Sequence, residues 1–140
     1  MTIGGRQKPP CVVVVDDHKD SCRALVRLLA HAGYRVVSAH SVREAREAIE
    51  RHGCDLLIAD IGLPDGSGLD LLADVRVRHG VKKAIALTGL TDKDDVKACL
   101  AAGFNAYMSK PVQFEELETL IAGVLNDPDG QETLGVAVEG

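Results

Sequence analysis

The sequence has no tryptophan, two phenylalanines and two tyrosines, so it lacks the aromatic platforms on which single-stranded nucleic acids or sugars stack. It has no excess of basic residues: 16 Lys and Arg stand against 21 Asp and Glu, a formal net charge of -5. A nucleic-acid partner is therefore not expected. No apolar run approaches the ~20 residues that span a bilayer, and Met1 to Pro10 lacks the apolar stretch of a signal peptide. The expected compartment is the cytoplasm, with no membrane partner. Cys11, Cys22, Cys54 and Cys99 form no CxxC and no Cys/His cluster at metal-ligand spacing, which argues for reduced, packed thiols rather than a zinc site or redox motif. No GxxxxGK[ST] loop follows the first apolar run, which argues against a nucleotide hydrolase.

What is present is aliphatic. At 140 residues and 46% hydrophobic content the chain has room for one domain and enough apolar side chains to fill one core. Residues 1–10, with two glycines, two prolines and two basic residues in no apolar period, read as a flexible lead-in. Order is expected over 11–125, and 126–140 reads as a mobile tail.

Between these limits, a strand pattern and a helix pattern alternate. Cys11 to Val15 is an unbroken apolar run that stops at Asp16-Asp17, as a strand buried on both faces would. Cys22, Leu25, Val26 and Leu29 then fall at helical spacing, and Ala32-Gly33 ends that helix with a left-handed glycine cap. Tyr34 to Ala39 is β-prone. Ser41-Val42-Arg43-Glu44 fits a capping box in which hydroxyl and carboxylate each satisfy the other's amide, opening a second helix that runs to about His52. Asp55 to Asp60 repeats the first strand pattern, Leu63-Pro64-Asp65-Gly66 makes a turn, and a third helix runs to about His79. Ala84 to Thr88 is a fourth strand, Thr91 to Ala102 a helix with acids in its first turn, and Phe104 to Met108 a fifth strand. Phe114, Leu117, Leu120, Ile121 and Val124 give the fifth helix its apolar face. Five β-then-α units in about 115 residues predict an α/β fold with a doubly wound five-stranded parallel sheet, because parallel strands need right-handed helical crossovers.

In such a sheet the site lies beyond the carboxyl ends of the strands. The polar residues fall there: Asp16 and Asp17 after the first strand, Asp60 after the third, Thr88 after the fourth, and Ser109-Lys110-Pro111 after the fifth. Taken singly, each has a plain structural explanation. An Asp after a strand commonly forms a turn or caps a helix, a Thr does the same with its hydroxyl, and a Lys is commonly a solvated charge. Taken together, three carboxylates at one edge repel, and either their pKa values rise or a hard divalent cation lets them stay ionised. An all-oxygen set favours Mg²⁺, with Mn²⁺ able to replace it. Lys110 and Thr88 would suit an incoming phosphoryl group, whose charge is spread over its oxygens.

The segments VVVVDD, LLIADIGLPDGSGLDLL, AIALTG and AYMSKPV, in this order over about Cys11 to Leu125, resemble the response-regulator receiver family of two-component signalling. The resemblance implies the flavodoxin-like (βα)5 fold with strand order 2-1-3-4-5. It implies that Asp60 is the phosphoacceptor, taking the phosphoryl group from a histidine kinase or histidine phosphotransfer domain. It also implies that Asp17 binds Mg²⁺ directly, Asp16 mainly through metal-bound water, and Gly62 through its main-chain carbonyl. Lys110 would pair with the acceptor and then with the phosphoryl group. Thr88 would hydrogen-bond a phosphoryl oxygen, and Tyr107 would be the aromatic switch that turns inward with it. Pro111 would follow a cis peptide bond, and a downstream protein would read the face built by the fourth helix, fifth strand and fifth helix. Gly62 and Leu90 occupy positions whose side chains tune phosphoryl lifetime in the family. Turnover of an external substrate is not expected. Two other readings remain in view. One is an aspartyl-phosphate hydrolase of the haloacid dehalogenase type, whose DxDGT nucleophile motif is absent here. The other is a degenerate receiver that only docks, against which the full set of Asp60, Thr88 and Lys110 speaks. Cys11 and Cys54 each stand six residues before a site carboxylate on strands expected to be neighbours, yet a disulfide is disfavoured in a reducing compartment.

Overall fold

A computed structural model describes residues 9–89 and 93–126, the side chains of 93–95 excepted. Most of the expected lead-in and mobile tail, together with Leu90 and the expected helix start at Thr91, lie outside the described residues. Strands β1 (Cys11–Val15), β2 (Arg35–Ala39), β3 (Leu56–Asp60), β4 (Ala84–Thr88) and β5 (Ala106–Ser109) form one parallel sheet in the order β2-β1-β3-β4-β5. Helices α1 (Lys19–His31), α2 (Val42–His52), α3 (Gly68–His79), α4 (Lys93–Ala101) and α5 (Phe114–Leu125) alternate with them. The expected doubly wound topology is the one observed.

The unbroken apolar runs of β1, β3 and β4 are explained by burial on two faces, since all five residues of each strand are buried. Val13, Val15, Leu57, Ala59, Ala84 and Ala86 point to one side, against Ala45 and Ile49 of α2, Leu71, Leu72 and Val75 of α3 and Cys99 of α4. Val12, Val14, Leu56, Ile58, Ile85 and Leu87 point to the other, against Leu25 and Leu29 of α1 and Leu117, Ile121 and Val124 of α5. Each fully buried Leu or Ile contributes roughly 1.5–3 kcal/mol relative to an exposed one. The two cores hold the three central strands rigid, and these strands deliver the polar groups at their ends.

Several boundaries differ from expectation. β5 begins at Ala106 rather than Phe104. Phe104 is buried in the core beside α4, its amide closing that helix on the Cys99 carbonyl, while Asn105 donates its amide to the Ala84 carbonyl and accepts from the Ala84 amide through Oδ1 at 2.8 Å. These bonds turn the chain into the sheet two residues later than β-propensity implies. β3 begins at Leu56 because Asp55 uses its carboxylate to accept from the Cys11 amide at 2.8 Å. The Ser41 cap is present, its Oγ accepting from the Glu44 amide at 3.1 Å, but the reciprocal bond is not: Glu44 accepts from His40, one residue further back. The first-turn amides of Val42 and Arg43 instead donate to the carboxylate of Asp65, at 2.7 and 3.0 Å. Gly33 ends α1 with φ +107°, as expected of a left-handed cap. All four cysteines are unbridged, and Cys11 directs its thiol toward the Gly53 carbonyl.

Between β3 and α3 the chain makes a short antiparallel hairpin, Gly62–Leu63 against Gly66–Ser67. Its exit is tight: the Gly68 amide donates to the Ile61 carbonyl at 2.7 Å, and a Cβ at Gly68 would overlap the backbone carbonyl of Asp60. Gly68→Ala is expected to cost about 2 kcal/mol, as overpacking against backbone does. Urea denaturation checks this, and a variant as stable as the wild type would show that the Asp60 backbone yields freely.

Candidate functional site

β1 and β3 are adjacent and in register, Val15 beside Ala59, so the residue following the first strand and the last residue of the third stand side by side. Asp16 and Asp60 are accordingly both buried, at 2% and 5% exposure, whereas Asp17 is exposed. The three residues each offer a carboxylate oxygen within 4.8 Å of the others. The Asp16 carboxylate is partly committed, since Oδ1 accepts from the His18 amide at 2.9 Å.

The fifth strand supplies the countercharge. Ser109 pairs with Thr88 in the β4–β5 register, the Lys110 amide donates to the Thr88 carbonyl at 2.8 Å, and the Lys110–Pro111 peptide is cis, as expected. From this anchor the Lys110 ammonium reaches both oxygens of Asp60, Oδ1 at 2.8 Å and Oδ2 at 2.9 Å, and lies 3.6 Å from Asp16 Oδ1. Thr88 is buried at the same edge. The structure thus brings together Asp16, Asp17, Asp60, Thr88 and Lys110. Gly62 lies two residues beyond Asp60, exposed, with open space where a side chain would stand. Tyr107 is half-buried on β5 against the core that contains Phe104.

Charge is not balanced here. Burial, then the neighbouring Asp16 carboxylate, push Asp60 up to about 7, against the pull of Lys110 in the other direction. Burial alone would lower Lys110, but the hydrogen bond and charge of Asp60, and after them Asp16, outweigh it and hold the ammonium above its ordinary value. Three carboxylates facing one ammonium, all ligand atoms oxygen, match a hard divalent cation. Beside this edge runs a groove of about 540 Å³ lined by His18, Leu25, Leu28, Pro111 and Phe114 along with Asp16 and Lys110. A larger cavity of about 680 Å³ lies at the opposite end of the sheet, where Pro10, Cys54 and Lys82 line it without a comparable acidic cluster. Open parallel sheets place their chemistry beyond the carboxyl ends of the strands, so the smaller groove belongs to the site. Asp65 is the residue whose tertiary role the sequence conceals. It reads as a turn former, and only the fold places it on α2.

The Asp60 proton sets a pH dependence. In the unfolded chain an aspartate ionises near 3.8, but in the folded protein Asp60 does so only near 7, so stability falls as pH rises across that window. Asp60→Asn removes the charge. In metal-free buffer with a chelator it should raise Tm by roughly 5 °C above about pH 7 and have little effect near pH 4. Equal effects at both ends in thermal melts would contradict the assignment.

Comparison with known proteins places the chain among characterised relatives. Residues 12–122 match the family model of the response regulator receiver domain. The chain is 35% identical over 129 residues to the response regulator protein PilR of Pseudomonas aeruginosa, covering 91% of this chain and 28% of that one. It is 37% identical over 105 residues to the transcriptional regulatory protein KdpE of Mycobacterium tuberculosis, covering 75% and 46%, so it spans less than half the length of either relative. The crystal structure of a CheY-like response regulator receiver domain protein from Methanospirillum hungatei superposes with a TM-score of 0.78 at 31% identity, over 85% of this chain and 95% of that one. On these matches this chain belongs to the response regulator receiver domain family, the phosphoacceptor module of two-component signalling.

Proposed function

We propose that the chain is a switch phosphorylated on Asp60, and the observation that carries this reading is the Lys110 ammonium within 2.9 Å of both Asp60 oxygens beside two further carboxylates. One Asp60 oxygen attacks the phosphorus of a phosphohistidine, the N–P bond breaks, the imidazole leaves with its electron pair, and an acyl phosphate remains. Asp17, exposed and with a carboxylate oxygen within 4.8 Å of those of Asp16 and Asp60, would hold Mg²⁺ directly, with the Asp60 carboxylate and the Gly62 carbonyl. Asp16, with one oxygen taken by the His18 amide, would act mainly through metal-bound water. When bound, the cation neutralises the carboxylate repulsion and the phosphoryl oxygens.

Lys110, on its flexible four-carbon stem, would pass from the acceptor carboxylate to the phosphoryl group, and the Thr88 hydroxyl would donate to another phosphoryl oxygen. Tyr107, two strand positions before the Ser109 that pairs with Thr88, would follow that movement and change the face built by α4, β5 and α5. The apolar groove flanked by Leu25, Leu28 and Phe114 suits a helix of the histidine-bearing donor, a kinase or phosphotransfer protein. The recipient of the signal would be a protein, and no external substrate would be turned over.

Incubation with a small phosphodonor and Mg²⁺ should add a single phosphoryl group, seen by intact mass. The adduct should vanish in Asp60→Asn and when the metal is chelated. A wild type that stays unmodified and binds no beryllofluoride would overturn the reading. Lys110→Ala should keep the fold by circular dichroism yet lose the phosphorylation-dependent change in Tyr107 amide and side-chain resonances. An unchanged response would remove Lys110 from the switch.

A further inference from the structure

Asp65 is solvent-exposed at the tip of the hairpin that follows the acceptor, yet both of its carboxylate oxygens are engaged. Oδ1 accepts from the Val42 amide at 2.7 Å and Oδ2 from the Arg43 amide at 3.0 Å, two donors with no partner inside α2. These bonds lower the pKa of the Asp65 carboxyl from its ordinary value. The contact is reinforced by packing: the Val42 side chain lies so close over Gly66 that a Cβ there would stand 3.2 Å from its methyl group.

The other end of this connection leads to the acid pair. α2 begins three residues after β2 ends at Ala39, and the Ala39 carbonyl accepts from the Asp16 amide at 3.0 Å. The start of α2 is therefore tied on one side to the backbone of Asp16 and on the other, through Asp65, to the hairpin that begins at Gly62. The hairpin has two residues per strand, too few to set its own position against the sheet.

We propose that Asp65 is a positioning residue for the metal pocket: by clamping the Gly62–Ser67 hairpin onto the first turn of α2, it fixes where the Gly62 carbonyl stands relative to Asp16 and Asp17. The inference rests on the reading above in which that carbonyl and those carboxylates share Mg²⁺. Asp65 touches neither metal nor phosphoryl group in this scheme and acts through the backbone. Residues that orient metal ligands without binding the metal commonly change affinity by tenfold or more when removed.

The test is a Mg²⁺ titration of ¹⁵N-labelled full chain followed by amide chemical shifts, with Asp65→Ala, Asp65→Asn and Ser41→Ala beside the wild type. Ser41→Ala removes a different cap of the same helix, so it lowers the stability of α2 while leaving the clamp. Asp65→Ala should weaken Mg²⁺ binding about tenfold, Asp65→Asn, which keeps one acceptor oxygen, by less, and Ser41→Ala by no more than about twofold. Wild-type affinity in Asp65→Ala overturns the proposal, as does an equal loss in Ser41→Ala, which would trace the effect to helix stability. A wild type that binds no Mg²⁺ overturns this inference and the functional reading together, whereas wild-type binding with an unaffected Asp65→Ala overturns this inference alone.

Discussion

Two carboxylates, those of Asp16 and Asp60, are taken almost wholly out of water at the ends of adjacent strands, and the arrangement at this edge of the molecule follows from that cost. A buried charge persists only when it is paired. The pairing here is incomplete, one ammonium against three acids, and the consequence is an Asp60 carboxyl whose ionisation is displaced to about 7. Such a site is held ready for added positive charge. The rest of the fold serves to keep the acids together: two apolar cores press on opposite faces of β1, β3 and β4, and neither strand end can retreat into solvent without disturbing both.

Much of this was legible in the sequence because the signals were of the strong kind. Apolar runs ending abruptly in Asp16-Asp17, Asp60 and Thr88 announce strands buried on both faces with polar ends, and parallel connectivity then dictates that those ends share one edge. The cis bond at Pro111 and the approach of Lys110 to Asp60 followed from the family resemblance and from no local pattern, since a lysine before a proline carries no information about what it will touch.

The differences share one physical cause, competition from side chains that bond to distant backbone. Asn105 is an ordinary residue in a β-prone stretch until its side-chain oxygen is seen accepting from the Ala84 amide while its backbone amide donates to the Ala84 carbonyl, which delays the start of β5. Glu44 sits at the spacing for a reciprocal cap, but its carboxylate accepts from the His40 amide, while Asp65 arrives from another part of the chain and takes the amides of Val42 and Arg43. Local spacing states which groups need partners. It does not state which distant group will win them.

The site draws its members from four different strands, and the one cation among them, Lys110, follows β5, an edge strand bonded to a single neighbour. The countercharge is thus held from an edge of the sheet, while Asp16 and Asp60 stand buried at its centre. Cooperativity acquires a direction from this. Fraying that begins at β5 withdraws the lysine first and leaves Asp16, Asp17 and Asp60 repelling one another, so the electrostatics of Asp60 depend on whether this edge of the sheet is in place. Integrity of the edge strand and charge state of the centre are one equilibrium viewed from two ends.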